Sequence, residues 1–320
     1  MEKQVQLTDL ARDTLKGLSA KPKYLLSKYL YDDKGSSIFQ EIMHMPEYYL
    51  TDCEYEIFSE QKEEIINAFI DNDKIFYLVE LGSGDGLKTK LLLEYLVEEL
   101  TNFIYIPVDI SSKATQNLVD SLKTELPDLK VKANTGDYFQ KLKNLNGHDS
   151  LQKIILFLGS NIGNFSDEEI TEFLNQLSAY SNSGDKVLIG FDLKKLPKTI
   201  MDAYNDPHGF TCRFNLNHLT RINRELDANF DVEQFEQHTE YNPLTGEVKS
   251  FLVSKTEQTI YIGALEQSFN FKQWEPVCME LSRKFDLITI RELAESHGFS
   301  IIKNFTDSRG FFVDSLWEKS

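Results

Sequence analysis

The stretch VELGSGDGLKTKLLLEYL, residues 79–96, constrains this chain more than any other. An apolar, β-branched run meets an amphipathic run, and between them stand Gly82, Gly84 and Gly86. Glycine loses more conformational freedom on folding than any other residue. Three of them in five positions, where a helix is about to start, mark either a very tight turn or a backbone that a ligand approaches closely. A strand that feeds such a turn and then a helix is the first unit of an open α/β sheet.

The following residues repeat the pattern. FYLVELG (76–82) is continuously apolar, as a parallel strand buried on both faces should be. FIYIPVDI (103–110), LKVKANTGDY (129–138), KIILFLGS (153–160) and DKVLIGFDL (185–193) read as further strands, the third being less apolar and suited to an edge. Helical periodicity fills the gaps at 87–100 and 111–126, and Ser166 with Glu169 forms a capping box that opens another helix. The expected core is therefore an open α/β parallel sheet with right-handed crossovers. It closes with a helix at 287–299 and two strands, 300–307 and 310–318, joined by Ser308-Arg309-Gly310.

Between 196 and 286 the alternation stops. A helical stretch to 226 gives way to antiparallel strands in FDVEQFEQHTEY, EVKSFLVSK and QTIYIGA, the first two separated by the turn Asn242-Pro243-Leu244-Thr245-Gly246. The expected organisation is a core of 61–195 plus 287–320 and a second, α+β domain of 1–60 plus 196–286.

Bulk properties exclude several classes of partner. The formal net charge is −17, spread along the chain, and such a field repels phosphate backbones and anionic lipid. Nucleic acid and membrane surfaces are therefore not expected partners, and the charge is compatible with a soluble monomer. The start of the chain has no apolar run of signal-peptide type, and no stretch approaches the length of a membrane span. Cys53, Cys212 and Cys278 stand far apart, which suits a reducing cytoplasm. The six histidines show no His-x-x-x-His spacing, and no metal is expected.

The strand ends carry the chemistry. In such sheets the ligand lies beyond the carboxyl ends of the strands. The first end holds Gly82 and Gly84; the second ends in Asp109, which can accept both hydroxyls of a ribose; the third ends in Gly136-Asp137-Tyr138, where Asp137 can accept from an adenine amino group beside the Tyr138 ring. Each acid alone could be an ordinary helix cap, but the three ends together point to an adenosine-bearing cofactor. The spacing is Gly-x-Gly-x-Gly and not the dinucleotide Gly-x-Gly-x-x-Gly, and Glu80 stands where a pyrophosphate would pass. Both features, with the terminal strand pair, favour S-adenosylmethionine over NAD.

At this point a resemblance becomes specific. YLYDDKGSSIFQEIMHMPEYYLTDCEYEI (29–57), VELGSGDGLKTKLLL (79–93), YIPVDIS (105–111), FLGSNIGNF (157–165), FDLKK (191–195), AYNDPHGFTCRFNLNHLTRINRELDANFD (203–231) and MELSRKF (279–285) resemble the histidine-specific S-adenosylmethionine-dependent methyltransferases of the ergothioneine pathway, the L-histidine Nα-methyltransferases. The resemblance implies a Rossmann-type methyltransferase core with a substrate domain built from the N-terminus and the insert. It implies cofactor contacts at Gly82, Gly84, Lys88, Asp109, Asp137 and Tyr138, with the Lys88 cation, one turn into the first helix, on the methionine carboxylate. It also implies that Tyr48, Asn164 and Tyr204 hold the α-groups of the amino acid, with Tyr31 in the same site and Asn164, Tyr31 and Tyr48 nearest the reacting amine. At least one of Tyr48 and Tyr49 is expected to be a packing aromatic. Glu280 and Ser282 are the implied readers of the imidazole, because alternate residues on an extended segment share a face.

One position departs from the family. Where its substrate-domain strand reads Glu-Met-x-Leu, this chain has Lys249-Ser250-Phe251-Leu252, with Ser250 at the Met position. A smaller polar residue there could widen the side-chain pocket toward another amino acid such as tryptophan or a derivative. Glu280 argues for histidine, since a ring with no hydrogen bond to offer would leave it unpaired. The expected reaction is SN2 transfer of methyl groups to the α-amine, three in succession in the family, giving the trimethylated betaine hercynine. The alternatives are the same chemistry on another amino acid, a non-catalytic S-adenosylmethionine-binding protein, and an NAD-dependent oxidoreductase.

Overall fold

Unbroken apolar runs become the interior of a sheet, and here they do so across the chain. The computed structural model describes residues 7–70, 75–109, 112–136, 138–146 and 151–320. Their strands, in chain order, are β1 (Lys23–Tyr24), β2 (Phe76–Leu81), β3 (Phe103–Asp109), β4 (Asn134–Thr135), β5 (Gln152–Phe157), β6 (Lys186–Asp192), β7 (Phe235–Asn242), β8 (Glu247–Ser254), β9 (Gln258–Ile262), β10 (Gln267–Phe271), β11 (Pro276–Arg283), β12 (Phe299–Thr306) and β13 (Phe312–Lys319). The chain divides into two compact units, 50–194 with 284–320 and 1–49 with 195–283.

The first unit holds a seven-stranded sheet in the order β12-β13-β6-β5-β2-β3-β4. β2 through β6 run parallel, and β13 lies antiparallel between β6 and β12. Every residue of β2 and β6 is buried, as strands covered on both faces require. From β2 the chain winds outward to β3 and β4, then returns to β5 on the other side. The switch point therefore lies at the carboxyl ends of β2 and β5. Val79, Ile106, Ile155, Phe157, Ile189 and Trp317 centre the core, and Phe157 stacks on Phe173 with ring centroids 4.5 Å apart.

Two buried ion pairs lie in this unit. Lys153 meets Asp185 at 2.6 Å and Lys284 meets Asp192 at 2.8 Å, all four side chains almost wholly buried. Lys186 Nζ donates to the carbonyls of Ala68 and Phe69, at 3.0 and 3.2 Å, closing the C-terminus of the helix Tyr49–Phe69. The capping box at Ser166 forms in both directions, with Glu169 N donating to Ser166 Oγ at 3.2 Å and Ser166 N to Glu169 Oε2 at 2.8 Å.

Two expectations about this unit change. The third strand shrinks to Asn134–Thr135 plus one bridge of Val131 to Tyr105, because Lys130, Lys132 and Ala133 have no apolar face to bury at the sheet edge. The unit also begins at residue 50 and not at 61. The helix Tyr49–Phe69 belongs to it because its side chains bond within it: Glu54 accepts from Gly159 N at 2.7 Å, and Gln61 Nε2 donates to Thr306 O at 2.8 Å.

The second unit is α+β. Its four-stranded sheet has the order β1-β11-β8-β7, and β9 with β10 forms a separate hairpin. Burial alternates strictly along β8, the signature of a sheet with one covered face. The helix Phe210–Leu226 covers that face, with Leu219, Ile222 and Leu226 packing among Phe235, Leu252, Val277 and Met279. Asp32 caps the helix Asp33–Met43 by accepting from Gly35 N at 2.7 Å. The turn at 242–246 forms as expected from its residues, with Gly246 at φ +78° donating to Asn242 O at 2.8 Å.

Candidate active site

The three glycines of the opening turn serve two purposes. All have positive φ: +77° at Gly82, +52° at Gly84 and +68° at Gly86. A Cβ on Gly82 would stand 2.9 Å from the Tyr138 hydroxyl, and one on Gly86 would stand 2.5 Å from Leu118 Cδ1, so these two permit close packing. A Cβ on Gly84 would meet nothing within 4 Å. That open backbone, which donates from Gly84 N to Asp109 Oδ2 at 3.4 Å, is the cradle an adenosine-bearing cofactor fits. Asp109 is the last residue of β3. Asp137 lies outside the described residues. Tyr138 opens the helix Tyr138–Asn146, where the sequence suggested a strand end, and its ring meets Phe157 edge-on at 6.5 Å.

Two charged residues behave differently from their sequence reading. From its place before the turn, the sequence puts Glu80 as an acid facing the ligand. Its carboxylate instead accepts from Thr89 Oγ1 at 2.5 Å and from the Tyr105 hydroxyl, both within the core. Burial pushes its carboxyl up to about 7, against these two hydrogen bonds. Lys88 stands just before the helix Thr89–Glu98, not one turn into it, because residues 85–88 complete the turn first. Its ammonium pairs with the fully buried carboxylate of Glu54. Burial works against the charge on Lys88, but the Glu54 carboxylate outweighs it and holds the ammonium above its ordinary value.

Beyond β5 the backbone turns through Gly159 and Ser160, both at positive φ, into the one-turn helix Asn161–Asn164. Ser160 Oγ accepts from Asp192 N at 2.9 Å, and Asn161 Nδ2 donates to Leu158 O at 2.8 Å. These bonds set Asn164 at the mouth of the capped helix Asp167–Ala179, half-buried, at the carboxyl end of β5.

In the α+β unit, Tyr31, Tyr48, Tyr204, Ser250, Glu280 and Ser282 draw together. Tyr204 ends the helix Pro197–Tyr204, and its hydroxyl bonds Ser282 Oγ at 2.9 Å. Its carbonyl accepts from Thr239 Oγ1 at 3.0 Å and Gln237 Nε2 at 3.1 Å, which fixes the helix end to β7. Tyr48 and Tyr204 lie edge to face at 6.4 Å. Tyr31 meets Phe39 and Phe214 edge-on at 5.3 Å, while the residue as a whole stays 42% exposed. Glu280 stands directly across from Ser250 in the β11–β8 register, so the two share a face, and the ladder slips at Met279 just before them. Ser250 Oγ is buried with no hydrogen-bond partner among the described residues. Tyr49 is the packing aromatic of its pair: it is buried, with Lys195 Nζ 3.0 Å from its hydroxyl.

Sequence reasoning did not single out Phe39, Phe214 or Glu54. The first two are walls whose spacing in helices reads as ordinary core, and Glu54 sits among seven other acids from 41 to 64, where it reads as surface charge.

A parallel sheet closed by an antiparallel terminal strand, with a glycine turn after the first core strand and an acid ending the next, defines a class I S-adenosylmethionine-dependent methyltransferase. The chain belongs to the family of histidine-specific, SAM-dependent methyltransferases, whose model matches residues 10–319. It is 33% identical over 310 residues to the histidine N-alpha-methyltransferase of Mycobacterium tuberculosis, covering 97% of this chain and 95% of that one. It is 35% identical over 308 residues to the enzyme of the same name from Mycolicibacterium smegmatis, covering 96% and 94%. Ergothioneine biosynthesis protein 1 of Schizosaccharomyces pombe is 29% identical over 293 residues, which covers 90% of this chain and 38% of that longer protein.

Proposed function

We propose that the enzyme methylates the α-amino group of L-histidine, in three successive transfers that yield hercynine. The observation that carries this reading is the arrangement on β11, where Glu280 stands beside the bonded pair Ser282–Tyr204. A carboxylate accepts from one imidazole N–H, and a hydroxyl serves the other ring nitrogen. When bound, S-adenosylmethionine supplies a methyl group on a sulfonium centre. Gly82, Gly84, Asp109 and Tyr138 are the described residues proposed to hold its adenosine part, and Lys88 its carboxylate; Asp137 is proposed with them from sequence alone.

The chemical step is one of positioning, since the amine lone pair must lie in line with the S–CH3 bond at roughly 3 Å. Tyr48 and Tyr204 are proposed to orient the neutral amine, with Tyr31 beside it; Asn164 is proposed with them from sequence alone. The Tyr31 phenol, like any tyrosine hydroxyl, is a donor at neutral pH. Aromatic faces at Tyr31 and Tyr48 suit an amine that grows into a quaternary cation.

The test is mass spectrometry of products from L-histidine and S-adenosylmethionine. Mono-, di- and trimethylated histidine appearing in sequence support the reading; no methylated histidine sinks it. Ser250 motivates a second reading. Its buried, unpartnered hydroxyl opposite Glu280 would suit an amino acid larger than histidine, and parallel reactions with L-tryptophan test it.

A further inference from the structure

Asp314 is a carboxylate in the middle of β13, fully buried, and neither of its oxygens finds a hydrogen-bond donor among the described residues. Such a group costs several kcal/mol if it is left charged and alone. Its position in the sheet identifies its neighbour. Asp314 lies directly across from Gly190 of β6, and directly opposed residues face the same side. A Cβ added to Gly190 would stand 2.5 Å from Glu54 Oε1. The Glu54 carboxylate thus occupies the space a side chain on Gly190 would fill, next to Asp314.

Glu54 already has two donors. Gly159 N donates to Oε1 at 2.7 Å, and the Lys88 ammonium holds Oε2. Two carboxylates cannot hydrogen-bond to one another unless one carries a proton. We propose that the protonated carboxyl of Asp314 donates to Glu54 and so holds Glu54 against Lys88, making Asp314 and Glu54 positioning residues for the ammonium that receives the cofactor's carboxylate. The proposal rests on the reading of Lys88 given above.

The other charged groups nearby are accounted for. Burial, and after it Glu54, hold the Asp314 carboxyl well above the ordinary carboxylate range. Glu80 on β2 faces Lys88 and Glu54, but its oxygens take the Thr89 and Tyr105 hydroxyls. Asp192 on β6 pairs with Lys284. Cys53, next to Glu54 on the helix, accepts instead from Arg309 Nη2 at 3.0 Å. Loss of the Asp314 proton to solvent would leave two carboxylates face to face, with only Lys88 between them and the cofactor.

The test is calorimetric titration of S-adenosylhomocysteine into the full-length protein, from about pH 6 to about pH 10. Wild type is expected to lose at least tenfold in affinity toward high pH, beyond any loss in Asp314→Asn, whose amide is a permanent donor. Asp314→Ala, which has no donor, is expected to bind at least tenfold more weakly than Asp314→Asn at neutral pH. Superimposable wild-type and Asp314→Asn profiles would overturn the proposal, and this comparison stands even if Asp314→Ala does not fold. Lys88→Met separates the two levels of the argument. If it binds as wild type does, the Lys88 reading fails and takes the proposal with it. If it binds weakly while the profiles superimpose, only the Asp314 inference fails.

Discussion

The three turn glycines should differ in what an alanine costs. At Gly84, φ is +52° and the space is open, so Gly84→Ala bears only the left-handed backbone cost of about 1–2 kcal/mol. Gly86→Ala bears the same backbone cost at φ +68° and also drives a Cβ to 2.5 Å from Leu118 Cδ1. Leu118 is buried, so its side chain has little room to retreat, and overpacking adds about 1–3 kcal/mol. Gly86→Ala should therefore destabilise by about 2–5 kcal/mol in all. The assay is urea unfolding of each variant, with Gly86→Ala repeated in a Leu118→Ala background. Removing the leucine should relieve the clash, so the second alanine then costs only the backbone term, a coupling of about 1–3 kcal/mol. Equal costs for Gly86→Ala in both backgrounds would refute the packing argument. Gly84→Ala should stay folded and yet lose affinity for S-adenosylhomocysteine, because its new methyl fills the space assigned to the cofactor.

Other expectations follow from the same geometry. Replacing Lys284 by Met removes the cation from buried Asp192 and should cost about 3–5 kcal/mol in urea unfolding. A double-mutant cycle of Tyr204→Phe and Ser282→Ala should show coupling of about 0.5–1.5 kcal/mol, the worth of one buried neutral hydrogen bond. His218 is fully buried, with neither ring nitrogen bonded among the described residues, and burial, followed by the nearby Arg221, pushes its pKa down to about 3 from 6.5. The folded state therefore keeps it neutral while the unfolded chain takes up a proton below pH 6.5, so stability is lost as the pH falls through that range. Denaturation midpoints from pH 7 downward should show a loss of about 1.4 kcal/mol per pH unit that His218→Leu flattens.

The sheet was legible because its strands are buried on both faces and so appear as unbroken apolar runs, punctuated by glycine turns. Residues 129–138 misled because alternating Val131 and Ala133 imitate a strand, yet flanking lysines leave nothing to bury at an edge. The two-residue β1 was invisible, since it exists only by pairing with β11 more than 250 residues later. The candidate site was legible where it uses local chemistry, as at the glycine turn, Asp109 and the Glu280-x-Ser282 strand. It was illegible where distant segments meet: nothing in DCEYEIF or FFVDSLWE says that Glu54 and Asp314 share a buried space over Gly190. Lys88 likewise read as a free cation, because its partner Glu54 lies on a helix 34 residues earlier.

The central claim is that Glu280 selects the imidazole. It is tested most directly by titrating L-histidine, and L-tryptophan for comparison, into the protein saturated with S-adenosylhomocysteine, for wild type and Glu280→Ala. A hydrogen bond to a charged acceptor is worth about 1.5–3 kcal/mol, so histidine affinity should fall roughly 10- to 150-fold in the variant. Wild type should prefer histidine to tryptophan. Equal histidine affinity in wild type and Glu280→Ala, or tighter binding of tryptophan by wild type, would contradict the assignment.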